Sequence, residues 1–564
     1  MSDLLTDDAW RPILFALFIA GIEKEILQGC EIGIFADDII IWSSGRNIDA
    51  IESELNNSLK GIQRFAGLHK LNFNPKKSVV SFFTTNKRLY NYLPKIVLDG
   101  HVLKYEKYPK YLGFTLDPEI TCNRHIANQV ERARKRLNIL KYISGRDWGA
   151  DANTLRTTYT SFIRPMLEYG FQILLTASVG NLKMLERIQL SAARIITGLR
   201  NSCPNEIVLY EANLQPLFMR WTSSTAKYYS KLYSYGDQHR TSTYFMNWTD
   251  VQRLKRDSPF CRAGKLNLLF PDIEHCSIEP NIDPLKDLPR VFFHEELLAS
   301  SSKKNQHPAL LRQLALETIH NTPNEAVHIF TDGSKFDNGN TASGVVIKNQ
   351  DDVTKIKRRN PNHCSVFRSE LIDINAALEH MISIESTENI WIFTDINSSV
   401  QYLSYWQSIS DRIGLNIIDN LMTYSYHNDI HLQWIPSHVN LHFNDLAKEL
   451  AKEGSNDPID SSGLLTYNEI YAKVKADNNR TWRIPPSREW YQQNNPGAAL
   501  ELKGDRKLQT AITRLITGHT RGLTFVQGQK TFPSWSHGLG LALFWAKSRG
   551  ERMSVSSDIS YVTL

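Results

Sequence analysis

The chain has 564 residues, is 41% hydrophobic and 22% charged, and carries a formal net charge of +6. That length exceeds one ordinary domain, the balance excludes a disordered or fibrous chain, and the mild basic excess suits a polyanionic partner without requiring one. Six cysteines (Cys30, Cys122, Cys203, Cys261, Cys276 and Cys364) stand far apart with no Cys-x-x-Cys pair, which reads as reduced thiols rather than a disulfide framework. The apolar run at residues 13–22 is too short to span a bilayer and lacks the cationic start of a signal peptide. The expectation is a soluble intracellular protein, nuclear or cytoplasmic, with no membrane segment.

In chain order, residues 33–42 are rich in β-formers and hold two adjacent acids, Asp37 and Asp38. Neighbouring strand side chains point to opposite faces, so two acids inside an apolar run need a turn. This predicts a β-hairpin with the acid pair at its tip. Phe35-Ala36-Asp37-Asp38 resembles the paired-aspartate hairpin of reverse transcriptases. Leu71-Asn72-Phe73-Asn74-Pro75-Lys76-Lys77-Ser78 and Lys110-Tyr111-Leu112-Gly113 resemble later elements of the same palm. The resemblance implies a truncated palm over residues 1–122, with Asp37 and Asp38 as a vestigial polymerase metal site. The earlier palm strand with its further metal-binding Asp, and the fingers around it, have no counterpart before Asp37. Only Arg11-Pro12-Ile13-Leu14-Phe15 resembles the family's Ser-Pro-x-Leu-Phe segment, and Asp7 and Asp8 read as solvated. DNA synthesis is not expected.

From residue 123 the apolar spacing becomes helical, through Val130, Leu137 and Leu140 and again through Leu182, Leu185, Ile188, Ala192 and Ile195. Residues 123–220 therefore read as an all-helical region. It resembles the thumb and connection of non-LTR retrotransposon polymerases. Residues 221–321, with scattered Pro, Trp and Tyr and a polar stretch at 299–307, read as a connector, with a boundary near 322.

Strands and helices alternate over residues 322–456. The pattern predicts strands at 328–332, 343–348, 390–395 and 431–435 and helices at 369–382 and around 445–452, with one more between the last two strands. Three carboxylate motifs fall in this frame: Thr331-Asp332-Gly333-Ser334, Arg368-Ser369-Glu370-Leu371 and Phe393-Thr394-Asp395. Trp434-Ile435-Pro436-Ser437-His438 follows them. Asp332 and Asp395 end apolar strand runs, and Glu370 sits in the first turn of a helix whose apolar face carries Leu371, Ile374, Leu378 and Met381. Each acid alone reads more readily as a cap or turn residue than as a ligand. Carboxylates converging from several elements are what divalent ions require when they clamp the oxygens of a phosphodiester.

In this order the motifs resemble a type 1 ribonuclease H domain, the family that cuts the RNA strand of RNA–DNA hybrids. The resemblance implies Asp332, Glu370 and Asp395 as catalytic metal ligands for Mg²⁺, with Mn²⁺ as the alternative ion, in a two-metal mechanism. It also implies a contact of Glu370 with a ribose 2′-hydroxyl, His438 as the family's mobile histidine, a hybrid nucleic acid as partner and no small-molecule cofactor. The family's last helix reads Gly-Asn-Glu-x-Ala-Asp-x-Leu-Ala. Here Phe443-Asn444-Asp445-Leu446-Ala447-Lys448-Glu449-Leu450-Ala451 puts Lys448 on the fourth carboxylate, with Asp445 one turn earlier as its nearest substitute. Two readings follow: a hybrid-cutting nuclease joined to an incomplete reverse transcriptase, or a catalytically impaired remnant that binds nucleic acid.

Residues 457–564 form a C-terminal extension. The segment from Leu508-Gln509-Thr510-Ala511 to Gly518-His519-Thr520-Arg521 resembles the post-nuclease region of such elements. The tail beyond Trp535 has no cysteine, so no zinc knuckle is expected. Basic residues at Arg132, Arg134, Lys135 and Arg136, and at Lys335, Lys355, Lys357, Arg358 and Arg359, read as solvated faces and receive no site assignment. The expected fold class is multidomain α+β and α/β: a partial palm, a helical thumb and connection, and a ribonuclease H-like mixed sheet flanked by helices.

Overall fold

The computed structural model describes residues 10–145, 147–246, 286–298, 307–459, 464–488, 491–518, 524–526 and 529–531. Asp7, Asp8, Cys261, Cys276, His519, Thr520, Arg521, residues 299–306 and the tail after residue 531 lie outside them. The chain divides into two compact units, residues 1–200 with 503–511, and residues 201–502 with 512–564.

The first unit opens with helix α1 (Trp10–Ala20), followed by β1 (Cys30–Phe35) and β2 (Asp38–Ser43) as an antiparallel hairpin. Ala36 takes the left-handed φ of +51° that so tight a turn demands, and both Asp37 and Asp38 are exposed at the tip, as the sequence requires. Helix α2 (Ile48–Leu68) starts where the Asn47 side chain accepts the amides of Asp49 and Ala50. Its Ile62 and Phe65 pack with Ile22 and Ile32. At Lys110-Tyr111-Leu112-Gly113, Leu112 (φ +47°) and Gly113 (φ +77°) make the second tight hairpin turn. The Tyr111 hydroxyl lies 3.5 Å from where a Cβ on Gly33 would stand, so this turn lies against the aspartate hairpin.

Helices α3 (Asn123–Ile143) and α4 (Val179–Thr197) then pack together and bury Val130, Leu137, Leu140, Leu185, Ile188 and Ala192. Leu182 and Ile195 are half-buried at the margin of that stripe. Arg506 donates to the Ile196 carbonyl at 2.7 Å, which ties residues 503–511 to this unit. Lys135 pairs with Glu131 at 3.1 Å, and Arg136 donates to the Phe162 carbonyl.

The second unit begins with helices that include α5 (Leu217–Ser234) and continues through β3 (Val291–His294), α6 (Pro308–His320), β4 (Val327–Lys335), β5 (Thr341–Asn349) and β6 (Asp352–Asn360). Then come α7 (Val366–Ser383), β7 (Ile390–Thr394), α8 (Asn397–Ser404), α9 (Arg412–Tyr424), β8 (Ile430–Trp434), α10 (His442–Gly454) and α11 (Tyr467–Arg483). The sheet order is β6-β5-β4-β7-β8-β3, antiparallel across the first three strands and parallel across the rest. One face buries Ile329, Ile392 and Leu432 against Leu371, Ile374 and Leu378 of α7 and Ile417 and Leu421 of α9. The other buries Phe330, Val346 and Phe393 against Leu311 and Ala315 of α6 and Ala447 and Leu450 of α10. Covering both faces explains why these strands read as continuous apolar runs. Each fully buried aliphatic side chain contributes roughly 1.5–3 kcal/mol, which holds the sheet together.

Several elements differ from the sequence-based expectation. Asp332 does not end its strand: β4 runs on to Lys335, with Asp332 paired opposite Gly344, and the turn falls after it. β6 has no counterpart among the expected strands, because Lys355, Lys357 and Arg358 read only as part of a solvated face. It is the sheet's edge strand, where exposed cations discourage further pairing. β3 and α6, both upstream of residue 322, belong to this sheet. Among the described residues no helix is long and apolar enough to cross a membrane. Cys30, Cys122, Cys203 and Cys364 are buried thiols.

Candidate active site

β4 and β7 are parallel neighbours with Thr331 opposite Thr394, so the residues that follow each threonine, Asp332 and Asp395, emerge side by side. Glu370 reaches the same point from α7, which starts at the Ser365 cap. The three carboxylates offer oxygens that all lie within 4.8 Å of one another, and no other group of three His, Cys, Asp or Glu side chains among the described residues does so. The structure therefore brings together the three acids that the sequence nominated.

Glu370 is wholly buried. Its Oε1 accepts the Gly333 amide at 2.8 Å, and its Oε2 accepts the Thr331 and Thr394 hydroxyls at 3.1 and 3.2 Å. The threonine ahead of each aspartate thus fixes the glutamate. Sequence reasoning missed both threonines, although the signal lies in Thr-Asp-Gly and Phe-Thr-Asp, one residue ahead of each acid. Gly333 cannot be replaced here, because a Cβ would fall 2.7 Å from the Ser369 Cβ and 2.9 Å from the Glu370 amide nitrogen.

Electrostatics make the cluster unstable as three bare anions. Burial, then the charge of Asp395, pushes Asp332 up to about 7, although Lys448 and Lys452 pull the other way. Burial, then Asp395 and Asp332, raises Glu370 well above the usual carboxylate range, against the pull of the Gly333 amide and the Thr331 hydroxyl. Asp373, one turn further along α7 and fully buried, is held high by burial and by the charge of Glu370. Desolvated like charges cannot all ionise without a compensating cation.

Phe330 packs against the face that α10 covers, and strand periodicity turns Asp332 toward the same helix. α10 lies close because Gly344 lacks a side chain: a Cβ there would land 2.1 Å from the Ala447 carbonyl oxygen. Lys448 Nζ lies 3.1 Å from Nδ1 of His438, an exposed loop residue with a left-handed φ of +62°. The ammonium in the fourth position and the histidine are therefore partners. Asp445, half-buried on α10, adds its charge to the field at Asp332 without joining the three-oxygen cluster.

The nominated acids in the first unit behave differently. Asp37 and Asp38 stay in solvent, and among the described residues no third ligand joins them. The basic residues near the sheet are largely committed to structure. Lys335 donates to the carbonyls of His363 and Cys364, Lys357 pairs with Asp457, and buried Arg359 donates to the Thr341 carbonyl.

Residues 324–456 match the family model described as RNase H, and residues 10–116 match that of reverse transcriptase (RNA-dependent DNA polymerase). The chain is 25% identical over 227 residues to the probable RNA-directed DNA polymerase from transposon BS of Drosophila melanogaster, across 39% of this chain and 25% of that protein. It is 26% identical over 197 residues to the RNA-directed DNA polymerase from mobile element jockey of the same organism, across 33% of this chain and 21% of the relative. The matches thus span about a quarter of the length of these curated relatives. Among solved structures, RNase H1 from the halophilic archaeon Halobacterium salinarum NRC-1 aligns at 21% identity and a TM-score of 0.20, over 24% of this chain and 99% of that one. The chain thus carries a segment that matches RNase H and one that matches reverse transcriptase, and is similar to the RNA-directed DNA polymerases of these Drosophila mobile elements.

Proposed function

We propose that the second unit hydrolyses the RNA strand of RNA–DNA hybrids, with Asp332, Glu370 and Asp395 as the catalytic metal ligands. The observation that carries this reading is the triad itself: its oxygens lie within 4.8 Å of one another, and Asp332 and Glu370, both buried, are held above their ordinary range by burial and by the charges of their neighbours. Such a donor set fits hard divalent cations, Mg²⁺ first and Mn²⁺ as the alternative, and these ions would stabilise the charge that develops on the phosphate oxygens.

The chain's own residues supply the rest. The Thr331 and Thr394 hydroxyls and the Gly333 amide keep Glu370 oriented and ionisable, so that the ligand geometry exists before substrate arrives. His438 is exposed beside the site, where it can carry a proton to or from solvent.

Lys448 favours a second reading, a domain that binds hybrid and cleaves poorly. Its ammonium opposes a cation at Asp332 and engages His438. A Mg²⁺-dependent hybrid cleavage assay on the whole chain separates the two. Cleavage that is lost in Asp332→Asn supports the nuclease. Salt-sensitive hybrid binding without cleavage, with cleavage gained in Lys448→Asp, supports the impaired form.

A further inference from the structure

We propose that Glu469, on the helix that follows the RNase H match, is a positioning residue for Glu370; the proposal rests on the nuclease reading above for what Glu370 does.

The helix bearing Glu370 cannot finish its own N-terminus. Ser365 caps α7 by accepting the Arg368 amide at 3.2 Å. In a self-sufficient cap, the residue three beyond is Glu or Gln, which reaches back to the cap residue's own N–H. Here that residue is Arg368, which has no acceptor to offer. Glu469 fills the gap from α11. Its Oε1 accepts the Ser365 amide at 2.6 Å and the Ser365 hydroxyl at 2.9 Å, while its Oε2 accepts Arg368 Nη1 at 3.0 Å. The same carboxylate closes its own helix, accepting the Thr466 amide at 3.0 Å while the Glu469 amide donates to Thr466 Oγ1. One side chain thus completes two helix starts.

The junction is buried and rigid. Arg368 is 8% exposed and Glu469 4%. Burial alone would raise the Glu469 acid, yet Arg368 and the N–H donors hold it below its ordinary range, so it is a carboxylate. The loop ahead of the cap is pinned separately, by Lys335 on the carbonyls of His363 and Cys364. Two residues past Arg368 comes Glu370, and the missing side chain at Gly333 leaves no slack between α7 and β4. Any slip of the Ser365–Arg368 turn therefore passes to the Glu370 carboxylate. The competing view is that the pair only holds α11 down.

The test uses the full chain with Glu469→Gln and with the apolar pair Arg368→Met/Glu469→Leu, which restores packing without restoring the cap. Two readouts are taken: amide hydrogen exchange, and Mn²⁺ affinity from the electron paramagnetic resonance of the free ion. The expected result in both variants is exchange at the Ser369 and Glu370 amides faster by about tenfold, with β4 and β7 unchanged, and Mn²⁺ affinity weaker by about tenfold. Faster exchange confined to α11, or full recovery of both readouts in the apolar pair, would overturn the proposal. If the parent chain binds no Mn²⁺, the metal reading fails on its own. Exchange at the Ser369 and Glu370 amides still decides the role of Glu469: a tenfold rise supports it and no change refutes it.

Discussion

Two sets of acids in this chain begin as equals in the sequence and end in opposite environments. Asp37 and Asp38 sit at the tip of a two-stranded hairpin, exposed, with water to solvate both charges. Asp332, Glu370 and Asp395 come from two parallel strands and a helix that pack on a covered sheet, and burial forces their charges together. The difference lies in what surrounds the acids rather than in their number. A carboxylate becomes a ligand when the fold removes its water and gives it like-charged neighbours, because the cluster is then relieved only by bound protons or by a cation that replaces them.

Several measurements can break or sharpen that contrast. The largest effect is expected from Asp332→Asn or Asp395→Asn, which should lower Mg²⁺-dependent hybrid cleavage by roughly a hundredfold or more. Asp37→Asn and Asp38→Asn should leave it unchanged, and equal losses from both sets would erase the distinction. The purified chain should also add no nucleotides to a primed RNA template; primer extension lost on replacing Asp37 would show that the exposed pair is a working site.

Gly344→Ala should be nearly as severe, since its new methyl would meet the Ala447 carbonyl oxygen. Overpacking of this kind costs typically 1–3 kcal/mol and here more, read as a lower midpoint in thermal unfolding. Retained stability would mean that α10 does not hold Lys448 as close to the acids as described.

The pH dependence of the metal-free protein follows from the raised pKa of Asp332. It moves from 3.8 to about 7 in the fold, so the native state holds more protons than the unfolded state between those values. This contribution to stability is complete below about 4 and is lost as pH rises through about 7, each tenfold difference in proton affinity between the two states being worth about 1.4 kcal/mol. Adding Mg²⁺ at pH 8 should restore stability by about 2.7 kcal/mol when the ion is at a hundred times its dissociation constant. An unfolding free energy that stays flat from pH 4 to 8 without metal would contradict a buried Asp332 repelled by its neighbouring acids.

The smallest expected effect is that of Lys448→Asp, which should tighten Mn²⁺ binding by about thirtyfold or more, since it changes the local charge by two units and each unit at about 4 Å is worth about 1 kcal/mol even in water. No change would mean that the ammonium already turns away from the site.

Much of the site is legible in the sequence because the acids end or interrupt apolar runs, where a carboxylate needs a reason to be. The hairpin is legible for the same cause. What escapes is the set of residues whose role depends on tertiary packing. Thr331 and Thr394 read as ordinary strand formers until register places them opposite each other over Glu370. β6 is hidden because edge strands carry charge where inner strands carry apolar side chains. β3 and α6 join the sheet from upstream, and local periodicity says nothing about which sheet a short strand will enter. Glu469 shows only a helix cap in its own neighbourhood, because its second set of partners lies 104 residues away in sequence.

The central claim is that the buried triad is a divalent-cation site. The most direct measurement is anomalous diffraction at the manganese edge from crystals of the full chain soaked in Mn²⁺. The account predicts a peak among the Asp332, Glu370 and Asp395 carboxylates that vanishes in Asp332→Asn crystals. A site without a peak, or with the Lys448 ammonium lodged between the carboxylates instead, would contradict it.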